Sequence, residues 1–249
     1  MKYTVLSDIG QKRSVNEDCA AVIVRSDFVR LGVIADGMGG HNAGDIASNM
    51  AVTKIGEYFN SATSEQFSSE ETIKHWFSNS VKKINSLIFD YSLTHEDCQG
   101  MGTTFLAAVL TDEQKVLCHI GDSRAYEWHA GKMKQLTKDH SYVNILVENG
   151  EISEEEAESH PRKNLITKSL GTEKTIEPDF VSLMFPTYSY LLLCSDGLSN
   201  KLSIDDMTKI MSTDVSVLDK GTQLVDLANK KGGEDNISLV LITNTKEEV

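Results

Sequence analysis

Carboxylates recur in this 249-residue chain at the points where apolar runs stop. Asp36 closes the run LGVIA and opens the glycine-rich stretch DGMGG. Asp122 follows VLCHI after one glycine, Asp196 follows LLLCS and opens DGLS, and Asp235 stands just before the run ISLVLI. A further acidic pair, Glu17-Asp18 after Asn16, falls in the turn between the first two apolar segments. Strands that end together deliver such side chains to one edge of a sheet. Several carboxylates gathered there repel one another by kcal/mol amounts unless a cation neutralises them.

An Asp-Gly pair after a strand is, taken singly, most often just a turn. It is the repetition that points to a cation. All-oxygen, anionic ligation suits hard divalent ions, Mg²⁺ or Mn²⁺, which keep several waters in octahedral shells. Gly37 would let the backbone turn sharply after Asp36, so that its carbonyl could also face a metal.

The remaining pattern predicts layered α+β structure. Strands are expected over 3–7, 20–25, 28–35, 103–110, 115–120, 125–129, 133–136, 180–184, 190–194 and 237–243. Helices are expected over about 44–59, near 204–212 and over 216–231. A long amphipathic helix covers 73–91, introduced by a capping box at Ser68 and Glu71. Residues 141–172, with the acidic run Glu151–Glu158 and a second capping signal at Ser153 and Glu156, read as a mobile surface insertion. No linker divides the chain, so one domain spanning 1–249 is expected.

Composition narrows the partners. The net charge of −13 argues against a ligand held by phosphate-backbone attraction, so no nucleic acid is expected. No segment approaches the roughly 18 apolar residues of a membrane span, and the opening MKYTVLSDIG lacks a signal-peptide core. Cys19, Cys98, Cys118 and Cys194 form no CxxC pair; Cys19, Cys118 and Cys194 adjoin apolar runs and read as reduced core thiols, which places the protein in the cytoplasm. No heptad or interface signal appears, and a monomer is expected.

Seven stretches, in order, resemble the metal-dependent protein phosphatases (PPM), the type 2C serine/threonine phosphatases, in their compact bacterial branch. They are SDIGQKRSVNED (7–18), VIADGMGGHNAGDIAS (33–48), MGTTFLAAVL (101–110), CHIGDSRAYEW (118–128), LTKDHS (136–141), LLLCSDGLSN (191–200) and GGEDNISLV (232–240). The resemblance implies a four-layer αββα sandwich, two antiparallel sheets flanked by helix pairs, with the 141–172 insertion as a flap beside the active site. It implies two Mn²⁺ or Mg²⁺ ions that share Asp36 and activate a water to attack phosphorus directly. Gly37 then supplies a carbonyl, Glu17 and Asp18 the acidic pair near the metals, and Asp196 and Asp235 ligands of the other ion. Asp122 matches the residue that helps Asp196 hold a third, weaker ion, and Arg13 the guanidinium that grips substrate phosphate. A planar guanidinium can bind two phosphate oxygens at once, which Lys cannot copy.

Two histidines stay open. His41 follows DGMGG, the region to which the resemblance assigns a protonating group for the leaving alcohol, but many eukaryotic members carry a histidine directly after the Asp-Gly, where this chain has Met38. His41 is therefore either a general acid or a structural or substrate-positioning group. His160, in the insertion, either touches substrate or is a loop histidine without chemistry. The expected substrates are phosphoserine and phosphothreonine proteins, with a cognate Ser/Thr kinase among the partners. The alternatives are a catalytically idle metal-binding module that sequesters phosphoproteins, and a metal-dependent phosphodiesterase or nuclease.

Overall fold

The computed structural model describes residues 1–26, 29–40 and 43–244. One sheet holds β1 (Lys2–Asp8), β7 (Arg124–His129), β8 (Lys132–Gln135), β10 (Tyr190–Cys194) and β11 (Ile237–Thr243), in the order β1-β11-β10-β7-β8. The other holds β2 (Asp18–Ser26), β3 (Val29–Met38), β5 (Phe105–Leu110), β6 (Lys115–Ile120) and β9 (Asp179–Ser182), in the order β2-β3-β5-β6-β9, with β4 (Gly102–Thr103) paired to the end of β3. Every pairing is antiparallel.

Strand periodicity explains the layering. In β5, Phe105, Ala107 and Val109 face a core with α1 (Ala43–Ser61) and α2 (Glu70–Thr94), while Leu106, Ala108 and Leu110 face the opposite sheet. In β11, Ile237, Leu239 and Leu241 pack with α6 (Ile204–Met211) and α7 (Val217–Lys230), and Val240 and Ile242 point between the sheets. A strand buried on both faces has no need of a polar alternation, so these strands read as continuous apolar runs. The result is the αββα order of layers. Among the described residues no helix is long and apolar enough to cross a membrane, and the four cysteines are free.

Several boundaries differ from the sequence reading for identifiable reasons. β3 does not stop before Asp36 but runs through it to Met38, because Gly37 and Met38 change partner and pair with Thr103 and Gly102. The segment expected as one strand over 103–110 is interrupted at Thr104, whose backbone N–H is taken by the Asp36 carbonyl at 2.9 Å. A one-turn helix, α5 (Asp196–Ser199), starts on Asp196 itself. The insertion contains α3 (Tyr142–Glu148) and α4 (Glu154–Ser159), the latter capped by Ser153 and Glu156 as the sequence predicts.

The cap of α2 lies one residue later than predicted. Ser69 Oγ accepts from Thr72 N–H at 3.2 Å and Thr72 Oγ1 accepts from Ser69 N–H at 3.1 Å. Ser68 is instead engaged backwards, its hydroxyl donating to the Glu65 carbonyl at 2.8 Å. Ser69→Ala is therefore expected to lower unfolding free energy by about 1 kcal/mol, whereas Ser68→Ala should change it by no more than about 0.5 kcal/mol. Urea denaturation of the two variants checks this, and the reverse ranking would restore Ser68 as the cap.

Candidate active site

The strand registers alone bring the acidic positions to one end of the sandwich. In the first sheet Cys194 pairs with both Arg124 and Leu239, so Asp196 just after β10 lies near Asp122 just before β7 and Asp235 just before β11. In the second sheet Asp18 and Asp36 are direct cross-strand partners. The two sets meet through Ser195, whose hydroxyl donates to Asp18 Oδ2 at 2.7 Å while its Oγ accepts from Ser238 N–H at 3.0 Å. Six acids that the sequence scatters from 17 to 235 thus come from both sheets to one place.

The backbone around them is held by neighbouring hydroxyls and amides. Asp36 N–H donates to Thr104 Oγ1 at 2.9 Å, and the Asp36 carbonyl accepts from Thr103 Oγ1 and Thr104 N–H, both at 2.9 Å. Thr104 Oγ1 in turn contacts Ser123 Oγ at 2.8 Å, beside Asp122. Asn236 fixes the loop that carries Arg13 and Glu17. Its Oδ1 accepts from Glu17 N–H at 2.9 Å, and its Nδ2 donates to the carbonyls of Ile9 and Val15 at 2.9 and 3.0 Å.

Gly37 and Gly44 allow α1 to approach closely. A Cβ on Gly37 would lie 2.1 Å from the Gly44 carbonyl oxygen, and one on Gly44 would lie 2.5 Å from Glu17 Oε1. With neither present, Gly44 N–H donates to Glu17 Oε1 at 3.2 Å. The role of Gly37 here is close approach, not the sharp turn that the sequence suggests, since β3 continues through it.

Burial dominates the electrostatics. It pushes Asp18 up to about 6, with Asp196 and Asp235 adding to the effect and the hydroxyls of Ser195 and Ser238 opposing it. It likewise pushes Asp196 to about 6 and Asp122 to about 7, with neighbouring carboxylates contributing. Asp36 is held well above the usual carboxylate range by burial and then by Asp18, Asp196, Asp122 and Asp235. Glu17 is raised by burial against the pull of the Gly44 N–H.

The donor set fits a hard cation. Asp18 and Asp122 are each only 9% exposed, and Oδ1 of each is buried without a hydrogen-bond partner. Buried anionic oxygens normally find a proton donor. Here the orphaned atoms belong to residues surrounded by more carboxylates. Among the described residues no three or more Asp, Glu, His or Cys side chains are already drawn together closely enough to hold a metal ion. The fit therefore rests on donor chemistry and orphaned oxygens.

Arg13 lies at the rim, where Nη2 donates to Asp235 Oδ2 at 2.8 Å, the two side chains being 47% and 39% exposed. Asp196 Oδ2 accepts from Asn200 Nδ2 at 3.0 Å. His160 lies within the insertion, its Nδ1 accepting from Arg162 N–H at 3.1 Å and its ring beside Tyr142. His41 is outside the described residues. The sequence reading missed Ser195 and Asn236 as supports; both adjoin predicted acids, but nothing in residue type marked them.

Comparison with known proteins identifies the family. Residues 10–237 match the family model described as protein phosphatase 2C. The chain is 39% identical over 236 residues to a serine/threonine phosphatase of Listeria monocytogenes, covering 95% of this chain and 93% of that one. It is 39% identical over 248 residues to the protein phosphatase PhpP of Streptococcus pneumoniae, covering 100% and 99%. The solved S. agalactiae serine/threonine phosphatase superposes with a TM-score of 0.92 at 39% identity, over 97% of this chain and 98% of that one. The chain belongs to the protein phosphatase 2C family, in its bacterial serine/threonine phosphatase branch.

Proposed function

We propose that this protein hydrolyses phosphoserine and phosphothreonine in proteins with two divalent cations, Mn²⁺ or Mg²⁺. Asp36, Asp196, Asp235 and the Glu17-Asp18 pair, with the Gly37 carbonyl, would hold them, and Asp122 with Asp196 would hold a third, weaker ion. The observation that carries this reading is the facing pair Asp18 and Asp36, with Asp18 Oδ1 and Asp122 Oδ1 buried and unpartnered beside them. The names of the relatives support the serine/threonine specificity. Divalent cations at such a site supply Lewis acidity, which sharpens water as a nucleophile and offsets charge on a phosphoryl group.

The chain's own groups supply orientation. Ser195 and Asn236 fix Asp18 and the 9–17 loop, and Arg13 offers a second guanidinium edge beyond the one bound to Asp235. A substrate phosphate bound there would gain charge-assisted, two-point hydrogen bonds. We further propose that residues 1–249 act as one domain, because the acids come from both sheets and from both ends of the chain. The protein would act as a monomer in a reducing compartment such as the cytoplasm, where its four free thiols persist. A Ser/Thr kinase and its targets would be its partners.

Three measurements test the proposal. Phosphothreonine-peptide hydrolysis is expected with Mn²⁺, and not with EDTA or in Asp36→Asn; turnover that survives EDTA would overturn the metal reading. Mn²⁺ binding without turnover would instead identify an idle phosphoprotein-sequestering module, and cleavage of dinucleotides alone a phosphodiesterase.

Arg13→Ala is expected to lower kcat/KM by about 10–100-fold, matching roughly 1.5–3 kcal/mol for hydrogen bonds to a charged group. Arg13→Lys should recover little of it. The fold should survive, because an exposed ion pair such as Arg13–Asp235 contributes at most about 1 kcal/mol. Calorimetric Mn²⁺ affinity that falls in parallel with kcat/KM would mean that Arg13 supports the site and not the phosphate.

The third measurement is stability against pH in chelator. Groups whose folded pKa is raised bind more protons folded than unfolded between about 4 and their folded values, so their stabilising contribution is present at low pH and lost as pH rises. The protein without added metal is thus expected to lose stability from about pH 4 to 7, through the values near 6 for Asp18 and Asp196 and near 7 for Asp122. The thermal shift produced by Mn²⁺ should grow over the same window. A Mn²⁺ shift independent of pH would show that these carboxylates do not meet the ion.

A further inference from the structure

The β6–β7 turn that carries Asp122 is gripped from one side by the segment 139–141. His140 N–H donates to the Gly121 carbonyl at 2.8 Å, and Gly121 N–H donates to His140 Nδ1 at 3.0 Å. A backbone N–H can only donate, so Nδ1 is the lone-pair nitrogen and the ring proton sits on Nε2. That proton points to Asp179 Oδ2 at 3.1 Å, and Lys168 Nζ donates to Asp179 Oδ1, also at 3.1 Å. The His140 ring stacks on His119 at 4.8 Å, and His119 hydrogen-bonds the Ser123 backbone. One residue further on, Arg124 grips Asp139 through Nε and Nη2 at 2.7–3.0 Å. The turn is therefore fixed at 121, 123 and 124, and Asp122 is the residue left free between them.

The same segment anchors the insertion. Thr167 N–H donates to the His140 carbonyl, and Tyr142 N–H to the Leu165 carbonyl, both at 2.8 Å. Ser141 forms an isolated bridge with Ile166, and Leu170 one with Thr103, next to the Asp36 carbonyl. Insertion and Asp122 thus share His140 as a common support.

We propose that His140 is a positioning residue, which through its Nδ1 acceptor on the Gly121 N–H and its own N–H on the Gly121 carbonyl holds the turn that presents Asp122, and so couples the 141–172 insertion to the cation held by Asp122. This rests on the reading of Asp122 as a cation ligand. His140 touches neither substrate nor ion in this scheme. Its imidazole aims a carboxylate through one backbone amide, and Asp179 holds the imidazole in the tautomer that can do so. Groups that orient metal ligands from behind commonly change affinity by about 10–100-fold when removed.

Two readouts test it. In ¹⁵N NMR of metal-free protein, His140 is expected as the Nε2–H tautomer with an unprotonated Nδ1. Protonation on Nδ1 at neutral pH would overturn the inference. In calorimetric Mn²⁺ titration, Asp122→Asn should remove the weakest class of site, and His140→Phe, which keeps a ring against His119, should weaken that class by about tenfold. His140→Asn, which retains an acceptor near the place of Nδ1, should recover most of the loss.

Equal loss in the Phe and Asn variants, or parental binding in His140→Phe, would overturn the positioning role while leaving Asp122 a ligand. Parental Mn²⁺ binding in Asp122→Asn would overturn that reading and this inference with it. Should His140→Phe not fold, Asp179→Ala carries the test, because it releases the far side of the ring, and Lys168 with it, without touching Nδ1. A several-fold weakening is then expected, and no change overturns the proposal.

Discussion

Two aspartates face each other across adjacent strands, and much of this structure is arranged around that fact. Like charges opposite one another in a sheet destabilise it. At about 5 Å and an effective dielectric near 20, two unit charges repel by roughly 3 kcal/mol. Asp18 and Asp36 nevertheless hold register at the end of the β2–β3 pairing, with Asp122 and Asp196 approaching from the other sheet. The cores on both faces of each sheet carry the burden, through strands such as β5 and β11 that are buried along their whole length. A carboxylate pair in this position is tolerable in its ionised form only with positive charge beside it. That is the constraint a divalent cation would relieve.

The supports around the pair follow a consistent division of labour. Hydroxyls and amides, those of Thr103, Thr104, Ser195 and Asn236, saturate backbone groups and one oxygen of Asp18. They leave Asp18 Oδ1 and Asp122 Oδ1 without donors. Lys or Arg close behind the carboxylates would have stabilised the fold further, but would also have competed with a cation. The arginine that does come near, Arg13, takes only the rim acid Asp235, at half exposure. Arg124, the other nearby cation, is engaged by Asp139 through two of its nitrogens. Positive charge is thus held at the rim or turned away, and the centre stays anionic.

Much of this was legible in the sequence, and the remainder was not for physical reasons. Strand and helix positions follow from period-2 and period-3.6 burial, so β6, β10 and β11 match the predicted bounds to the residue. The convergence of acids was legible because repeated carboxylates at strand ends have few bland explanations together. What failed were choices between equivalent neighbours. Ser68 and Ser69 are chemically alike, and only the 3₁₀ turn ending at Phe67 decides which hydroxyl is free to cap. The continuation of β3 past Asp36 depends on a partner, β4, that is far away in sequence. The role of Gly37 depends on Gly44 likewise, since close approach between two backbones leaves no local pattern. Ser195 and Asn236 look like ordinary polar residues until the two sheets bring their partners to them.

The spread of the acids along the chain has an energetic consequence of its own. Glu17, Asp18 and Asp36 lie near one end of the chain, Asp196 and Asp235 near the other, and they meet only across the interface between the sheets. A cation that needs donors from both sheets has no comparable site in the unfolded chain, nor in either sheet alone. Its binding free energy therefore adds to the cohesion of the sandwich, by RT ln(1 + [M]/Kd) for each site. At a free concentration 100 times Kd this amounts to about 2.7 kcal/mol per site, close to the repulsion of the facing pair. Without a cation, burial and then mutual repulsion favour the protonated carboxylates, which is why their pKa values stand high. The net charge of −13 is thus not evenly spread: part of it is concentrated where two sheets meet, and there a bound cation would link folding, protonation and metal binding in a single equilibrium.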